Sequence, residues 1–530
     1  LLAHLSAKRK IKNSLLGFIN MLSVSLFYLK ARRCVLIGLF AIISAGCVKG
    51  TMSDNARPQE QQNNPLQMGL APVSYVPSAP AVWELPNGVT VLHIKDDEIP
   101  LISASLLTRG GGLWETPEQE GVASVTGQLL RKGGVVGISP EELDLTLEKL
   151  SASISTTIGG EFGSFSFSCL KSDLSSVSSI FKKIMLEPTF EESKLNLHKL
   201  QLLEKIRRRK DDGATIAGLA LASLLYKDSP YGTVLTSMEV KEITRAKVID
   251  WHRNKISLRG AIFLVSGDIS EHEVRDLANN MFSSWPDSSA KSSVFDNLPP
   301  LNKPHPPGVY FIEAPFSQAT VVMGHLGVPR YTEDHFDIKV FNRIFGIGMG
   351  SPRLYQRIRS ELGLAYSVSG SIQPGAPLGT NSVQLQTKAE SAGVATKEVF
   401  EVIRDLQQNG VTSAELVERR RGVINSFVFA NEDADSTLER QALFRLYGFP
   451  LDYDNLYVKK VEAVTQESVS TMLRSRWKID EMVTVIVGSK VARNAIESAM
   501  PLLPLEISQA GIKDLGFDET IVFPDGSSAE

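Results

Sequence analysis

The feature that most constrains this chain is an internal repeat. Residues 261–268, Ala261-Ile262-Phe263-Leu264-Val265-Ser266-Gly267-Asp268, form an apolar run with the length and branching of a buried strand that stops at a glycine turn. Residues 482–488 repeat that pattern roughly 220 residues later, and self-similarity at a fixed offset marks duplicated units. Long amphipathic helices expected at 191–209 and 412–431 keep the same offset. In the first half, Asn87-Gly88 supplies a hairpin turn before the β-rich run 89–94, and 101–107 reads as another strand. Helices are expected at 121–130, at 140–150 behind the cap Ser139, and at 174–185, with an alternating stretch over 153–169. In the second half, strands are expected at 309–313 and 319–325, and helices at 336–345 and 352–362. Strands and helices mix irregularly, so the expected fold class is α+β, built as two similar domains and not one doubly wound sheet.

At 530 residues the chain exceeds one ordinary domain. The expected boundaries are a targeting segment at 1–47, a Pro- and Gln-rich tether at 48–81, a first domain at 82–296, a linker at 297–307, a second domain at 308–500, and a tail at 501–530 without clear period. Hydrophobic residues at 43% and charged residues at 22% fit a soluble globular body. A net charge of −3 offers no basic field for nucleic acid. Three cysteines, Cys34, Cys47 and Cys169, make neither a disulfide framework nor a zinc knuckle.

The N-terminal segment reads as a secretory signal. With Met21 as the start, Lys30, Arg32 and Arg33 form a positive flank, and residues 34–45 form an apolar core too short to span a bilayer comfortably. Ser44-Ala45-Gly46-Cys47 resembles a bacterial lipoprotein signal, which implies lipidation at Cys47 and a body tethered to the envelope, with Val48 favouring the outer membrane. An uncleaved anchor and a plain signal peptide are the alternatives.

Further marks follow in order along the body: Leu85-Pro86-Asn87-Gly88, then Gly110, Gly111 and Gly112 with Glu115, then Gly121-Val122-Ala123 opening a helix that ends in Lys132-Gly133. Pro188-Thr189-Phe190, Pro230-Tyr231-Gly232, Ser351-Pro352-Arg353-Leu354 and the segment 359–366 come after them. Over residues 82–490 this order resembles the insulinase/pitrilysin-type metallopeptidases, which include the mitochondrial processing peptidases. The resemblance implies two homologous α/β-sandwich domains. It also implies a zinc site, carried in active members by His-x-x-Glu-His on the helix after the Gly-x-Ala signal and by a glutamate on a later helix. Two histidines four apart share one helical face and reach one ion, while the intervening glutamate activates the metal-bound water.

Here that motif is degenerate. Ser124 and Gln128 stand where the histidines would be, Gly127 replaces the base, and Leu197 occupies the later ligand position. A shift of register would bring Glu204 to the site, but one carboxylate does not hold catalytic zinc. His4, His93, His198, His252, His272, His305, His325 and His335 are scattered, with no two four apart. The chain is expected to lack a metal, a general base and independent hydrolytic activity.

The resemblance also implies an Arg–Tyr pair that reaches substrate across a closed chamber, matched by Arg359 and Tyr366. The alternative is that Arg359 pairs with a nearby acid and Tyr366 is a half-buried strand residue. A chain without zinc but with this pair resembles the non-catalytic subunits of two-chain members. The expected function is therefore a substrate-gripping subunit of a heterodimeric zinc peptidase. Its partners are a sibling bearing His-x-x-Glu-His, which supplies the zinc, extended peptides, and the membrane through the lipid anchor. A scaffold in an envelope complex is the alternative. The turn containing Gly346, Gly348 and Gly350 lacks the context of a phosphate loop and reads as a loop between helices.

Overall fold

A computed structural model describes residues 75–285, 297–348 and 350–522 of the chain. The signal segment with Cys47, the first part of the tether, Met349 in the glycine turn and residues 523–530 lie outside the described residues.

The duplication is visible in the sheet topology. The first sheet runs β1 (Ala81–Glu84), β2 (Thr90–Lys95), β6 (Ile262–Gly267), β3 (Leu101–Arg109), β5 (Phe162–Leu170), β4 (Ser153–Ile158). The second runs β13 (Ile521–Val522), β12 (Ile512–Phe517), β7 (Gly308–Glu313), β11 (Val483–Gly488), β8 (Gln318–Leu326), β10 (Thr380–Lys388), β9 (Ala365–Gln373). Superposing the orders makes β2-β6-β3-β5-β4 equivalent to β7-β11-β8-β10-β9. The repeated apolar strands β6 and β11 sit in the middle of their sheets, each parallel to one neighbour and antiparallel to the other. Central strands are covered on both faces, which is why these two read as continuous apolar runs and not as alternations.

Each sheet buries one face under helices of its own half. In the first domain Val122, Val125 and Leu129 of helix Val122–Lys132 pack with Phe181, Trp251 and Phe263. In the second, Phe341, Phe345, Phe400 and Trp477 form the corresponding core. Burying each such aromatic contributes about 1.5–3 kcal/mol.

The opposite faces are closed by exchange between the halves. Helix Gly213–Leu225, capped by Asp212 through the amides of Ala214 and Thr215, belongs to the first half by sequence. Its apolar surface, with Ile216, Ala220 and Leu224, packs on Tyr310, Val322 and Val485 of the second sheet. In return, helix Ala434–Leu446 of the second half lays Leu438 and Ala442 on Leu92, Leu107, Ile262 and Leu264 of the first sheet. The Asp435 carboxylate there accepts the Ser266 hydroxyl of β6.

Three boundaries differ from expectation. Residues 75–80 are not a free tether: Tyr75 sets its ring edge-on to Phe427 and donates its hydroxyl to the Asn431 carbonyl at 2.8 Å. Residues 501–522 are not a tail, because β12 pairs in parallel with β7 and β13 pairs with β12, widening the second sheet. The helix expected at 352–362 widens into a π-helical turn over Tyr355–Glu361.

Candidate functional site

The degenerate site is built on helix Val122–Lys132. Gly121 enters it at φ +79, and the Glu115 carboxylate lies against its first turn, accepting the amides of Gly121 at 2.9 Å and Ala123 at 2.5 Å. Burial pushes the Glu115 carboxyl up to about 7 despite these two donors. Ser124 faces solvent and Gln128 is half-exposed.

Gly127 is buried directly against the edge strand β4. A Cβ built there would overlap the Ile158 amide nitrogen and lie 3.0 Å from the Thr157 carbonyl carbon. The Gly127 carbonyl accepts the Thr156 hydroxyl at 2.6 Å, which holds helix and strand together. Position 127 is thus closed by backbone, with no room for a side chain.

On helix Glu192–Arg207, Leu197 is 52% exposed and presents no donor atom. Glu204 turns to Arg207 at 2.8 Å and Arg208 at 2.6 Å, and these guanidinium groups hold its carboxyl down at about 2. His198 is half-buried and its desolvation lowers its pKa. The other buried imidazoles serve the cores: His93 meets the Val265 carbonyl, His252 the Met185 carbonyl, His325 the Lys478 amide and His335 the Tyr453 hydroxyl. Among the described residues no three His, Cys, Asp or Glu side chains come together as a metal site. A hydroxyl, an amide and an alkyl chain do not fit zinc, which takes thiolate, imidazole and carboxylate ligands.

The segment with Arg359 and Tyr366 is arranged differently. The Arg359 guanidinium lies 4.8 Å from the Tyr355 ring centroid and 5.5 Å from that of Tyr366, between two aromatic faces. Among the described residues it has no carboxylate partner. Its neighbours are committed elsewhere: Arg357 bonds Glu361 and Glu398, and Arg353 bonds Asp405 and Glu415. Tyr366 is 74% exposed, not half-buried. The pairing of β9 with β10 slips at this residue: Ala365 faces Thr387 and Ser367 faces Gln386, leaving Tyr366 as the extra residue of a bulge. Bulges re-aim side chains, and here two consecutive residues, Tyr366 and Ser367, both point to solvent. Tyr355 is the member that sequence reasoning misses. An aromatic residue four before an arginine on a helix is the available signal, though the π turn sets the actual approach.

The family model described as Insulinase (Peptidase family M16) matches residues 90–237, and the model described as Peptidase M16 inactive domain matches 242–423. The chain is 22% identical over 414 residues to the non-peptidase homolog YmxG of Helicobacter pylori, covering 76% of this chain and 92% of that protein. It is 22% identical over 418 residues to the uncharacterized zinc protease YmxG of Bacillus subtilis, covering 76% and 97%. Among solved structures, a peptidase M16 inactive domain from Pseudomonas fluorescens aligns with a TM-score of 0.69 and 24% identity over 77% of this chain and 98% of that one. The periplasmic protease PqqL of Escherichia coli aligns at 0.68 and 15% identity over 84% of this chain and 49% of that one. With the duplicated fold and the two family models in hand, the chain is a member of the M16 insulinase family, one whose sequence lacks the His-x-x-Glu-His motif.

Proposed function

We propose that this chain is the substrate-gripping, non-catalytic subunit of a two-chain zinc peptidase that acts on peptides in the bacterial envelope. The observation that carries the reading is the Arg359 guanidinium, uncompensated by any carboxylate among the described residues and stacked between Tyr355 and the outward-turned Tyr366. A planar fork of donors beside an exposed phenol suits a peptide carbonyl and the oxyanion that develops from it. The pair sits where β9, the edge of the second sheet, begins. The edge strand β4 lies beside the degenerate helix, and an extended peptide can add to such an edge through main-chain hydrogen bonds. Zinc and base then come from a sibling bearing His-x-x-Glu-His. Lipidation at Cys47 would hold the assembly in the envelope, facing the periplasm; no helix among the described residues is long and apolar enough to cross a membrane.

The test is co-expression with such a sibling, comparing wild type with Arg359→Ala plus Tyr366→Phe. The complex is expected to form equally while kcat/KM for a model peptide falls at least tenfold. Unchanged cleavage would sink this reading and leave a scaffold role. That second reading is favoured by Leu197 and Leu200, 52% and 64% exposed on one helix, an apolar surface of the kind that docks another protein.

A further inference from the structure

The hairpin tips of both sheets and the end of the exchanged helix Ala434–Leu446 converge on a cleft of about 460 Å³, within the range of small-molecule sites. Two arginines face it, and they differ. Arg330 is neutralised by the Glu161 carboxylate and lies 3.6 Å over the Tyr447 ring, so both of these charges are spoken for. Arg109, at the end of β3, is half-buried, its Nε is shielded from solvent without a hydrogen-bond partner, and no carboxylate among the described residues meets it. The backbone closes on it from one side: Gly260 stands at φ +65, and a Cβ there would lie 3.4 Å from that Nε. A buried donor without an acceptor is destabilising, and a bound group that supplies the acceptor removes that cost. Among the described lining residues, with Arg330 and Glu161 cancelling, Arg109 is left as the one uncompensated charge, walled by the rings of Trp114, Tyr331 and Tyr447.

We propose that this cleft binds one carboxylate carried on an apolar or aromatic body, the Arg109 fork taking the carboxylate and the rings enclosing the body. A peptide C-terminus and a free small organic acid share that chemistry. None of the lining residues belongs to the Arg359–Tyr366 pair, so failure here leaves the reading of that pair standing.

The experiment is isothermal titration of the full chain with N-acetyl-L-phenylalanine, with its uncharged amide, and with a pentapeptide ending in phenylalanine as free acid or amide. Saturable one-site binding of the acid is expected, with the amide at least tenfold weaker. Arg109→Gln should weaken the acid at least tenfold, and Arg109→Lys should recover part of the loss. Binding of the peptide acid identifies a peptide C-terminus, and binding of the acetylated amino acid alone identifies a free acid; either supports the proposal. Equal affinity for acid and amide, no saturable binding of either acid, or full affinity in a folded Arg109→Gln chain would overturn it. Should Arg109→Gln not fold, the acid-against-amide comparison on the wild-type chain decides.

Discussion

Replacing Gly127 with alanine asks whether the base position is closed or only vacant. In an open helix interior this change stabilises by about 1 kcal/mol, because alanine restricts the unfolded chain and glycine does not. At residue 127 the added methyl meets the backbone of Thr157 and Ile158, which cannot rotate away as a side chain would. Helix Val122–Lys132 must therefore lift from β4. Overpacking of this kind costs about 1–3 kcal/mol. Loss of the hydrogen bond from Thr156 to the Gly127 carbonyl adds about 1 kcal/mol. The sum outweighs the helix gain, and a net loss of about 1–3 kcal/mol is expected for Gly127→Ala. Gly218 is the control: it lies inside helix Gly213–Leu225 with nothing within 4 Å of a built Cβ, so Gly218→Ala should raise stability. The assay is the thermal unfolding midpoint of the two variants beside wild type. A stabilised Gly127→Ala chain would refute the reasoning, since the helix would then be free to admit a side chain.

Glu115 should give a pH signature. Its folded carboxyl, raised by burial from 4.5 to about 7, keeps a proton that the unfolded chain has lost across that window. Its contribution to stability therefore falls as pH rises from 4.5 to about 7 and is flat above, so Glu115→Gln should flatten the thermal midpoint across this range; an unchanged slope would assign it elsewhere. Leu438→Ala removes a fully buried contact and should cost about 2–5 kcal/mol. Amide exchange should then rise in β2 and β6 of the first sheet, and a rise confined to the second half would contradict the helix exchange. Elemental analysis of the purified chain should find no stoichiometric zinc, and a chelator should leave its thermal midpoint unmoved; one tightly held zinc per chain would overturn the degenerate-site account.

The duplicated architecture is legible in the sequence because central strands such as β6 and β11 must be apolar on both faces, and a glycine stop repeats with them. That Ser124, Gly127, Gln128 and Leu197 carry neither imidazole nor carboxylate is a matter of residue type and is read directly. Close approach is not: Gly127 reads as a missing carboxylate, and only the packing against Ile158 makes it a filled position. The apolar content of helix Gly213–Leu225 marks it as buried, but nothing local says that its sheet belongs to the other half. Helix Ala434–Leu446 is harder still, since only Thr437, Leu438 and Ala442 are buried and the polar residues between them blur the apolar face. The outward turn of Tyr366 depends on a bulge, which arises from the register between two strands and leaves no mark in either one alone.

The reciprocal closure of the two sheets has a consequence for biogenesis. Ser266 and its partner Asp435 are separated by 169 residues. At elongation rates of roughly 5–20 residues per second, the first sheet waits on the order of 10–30 s before its covering helix is made. Throughout that interval Leu92, Leu107, Ile262 and Leu264 form a bare greasy plane on the nascent chain. Fragments that stop short of residue 446 leave that plane uncovered and are expected to self-associate through it.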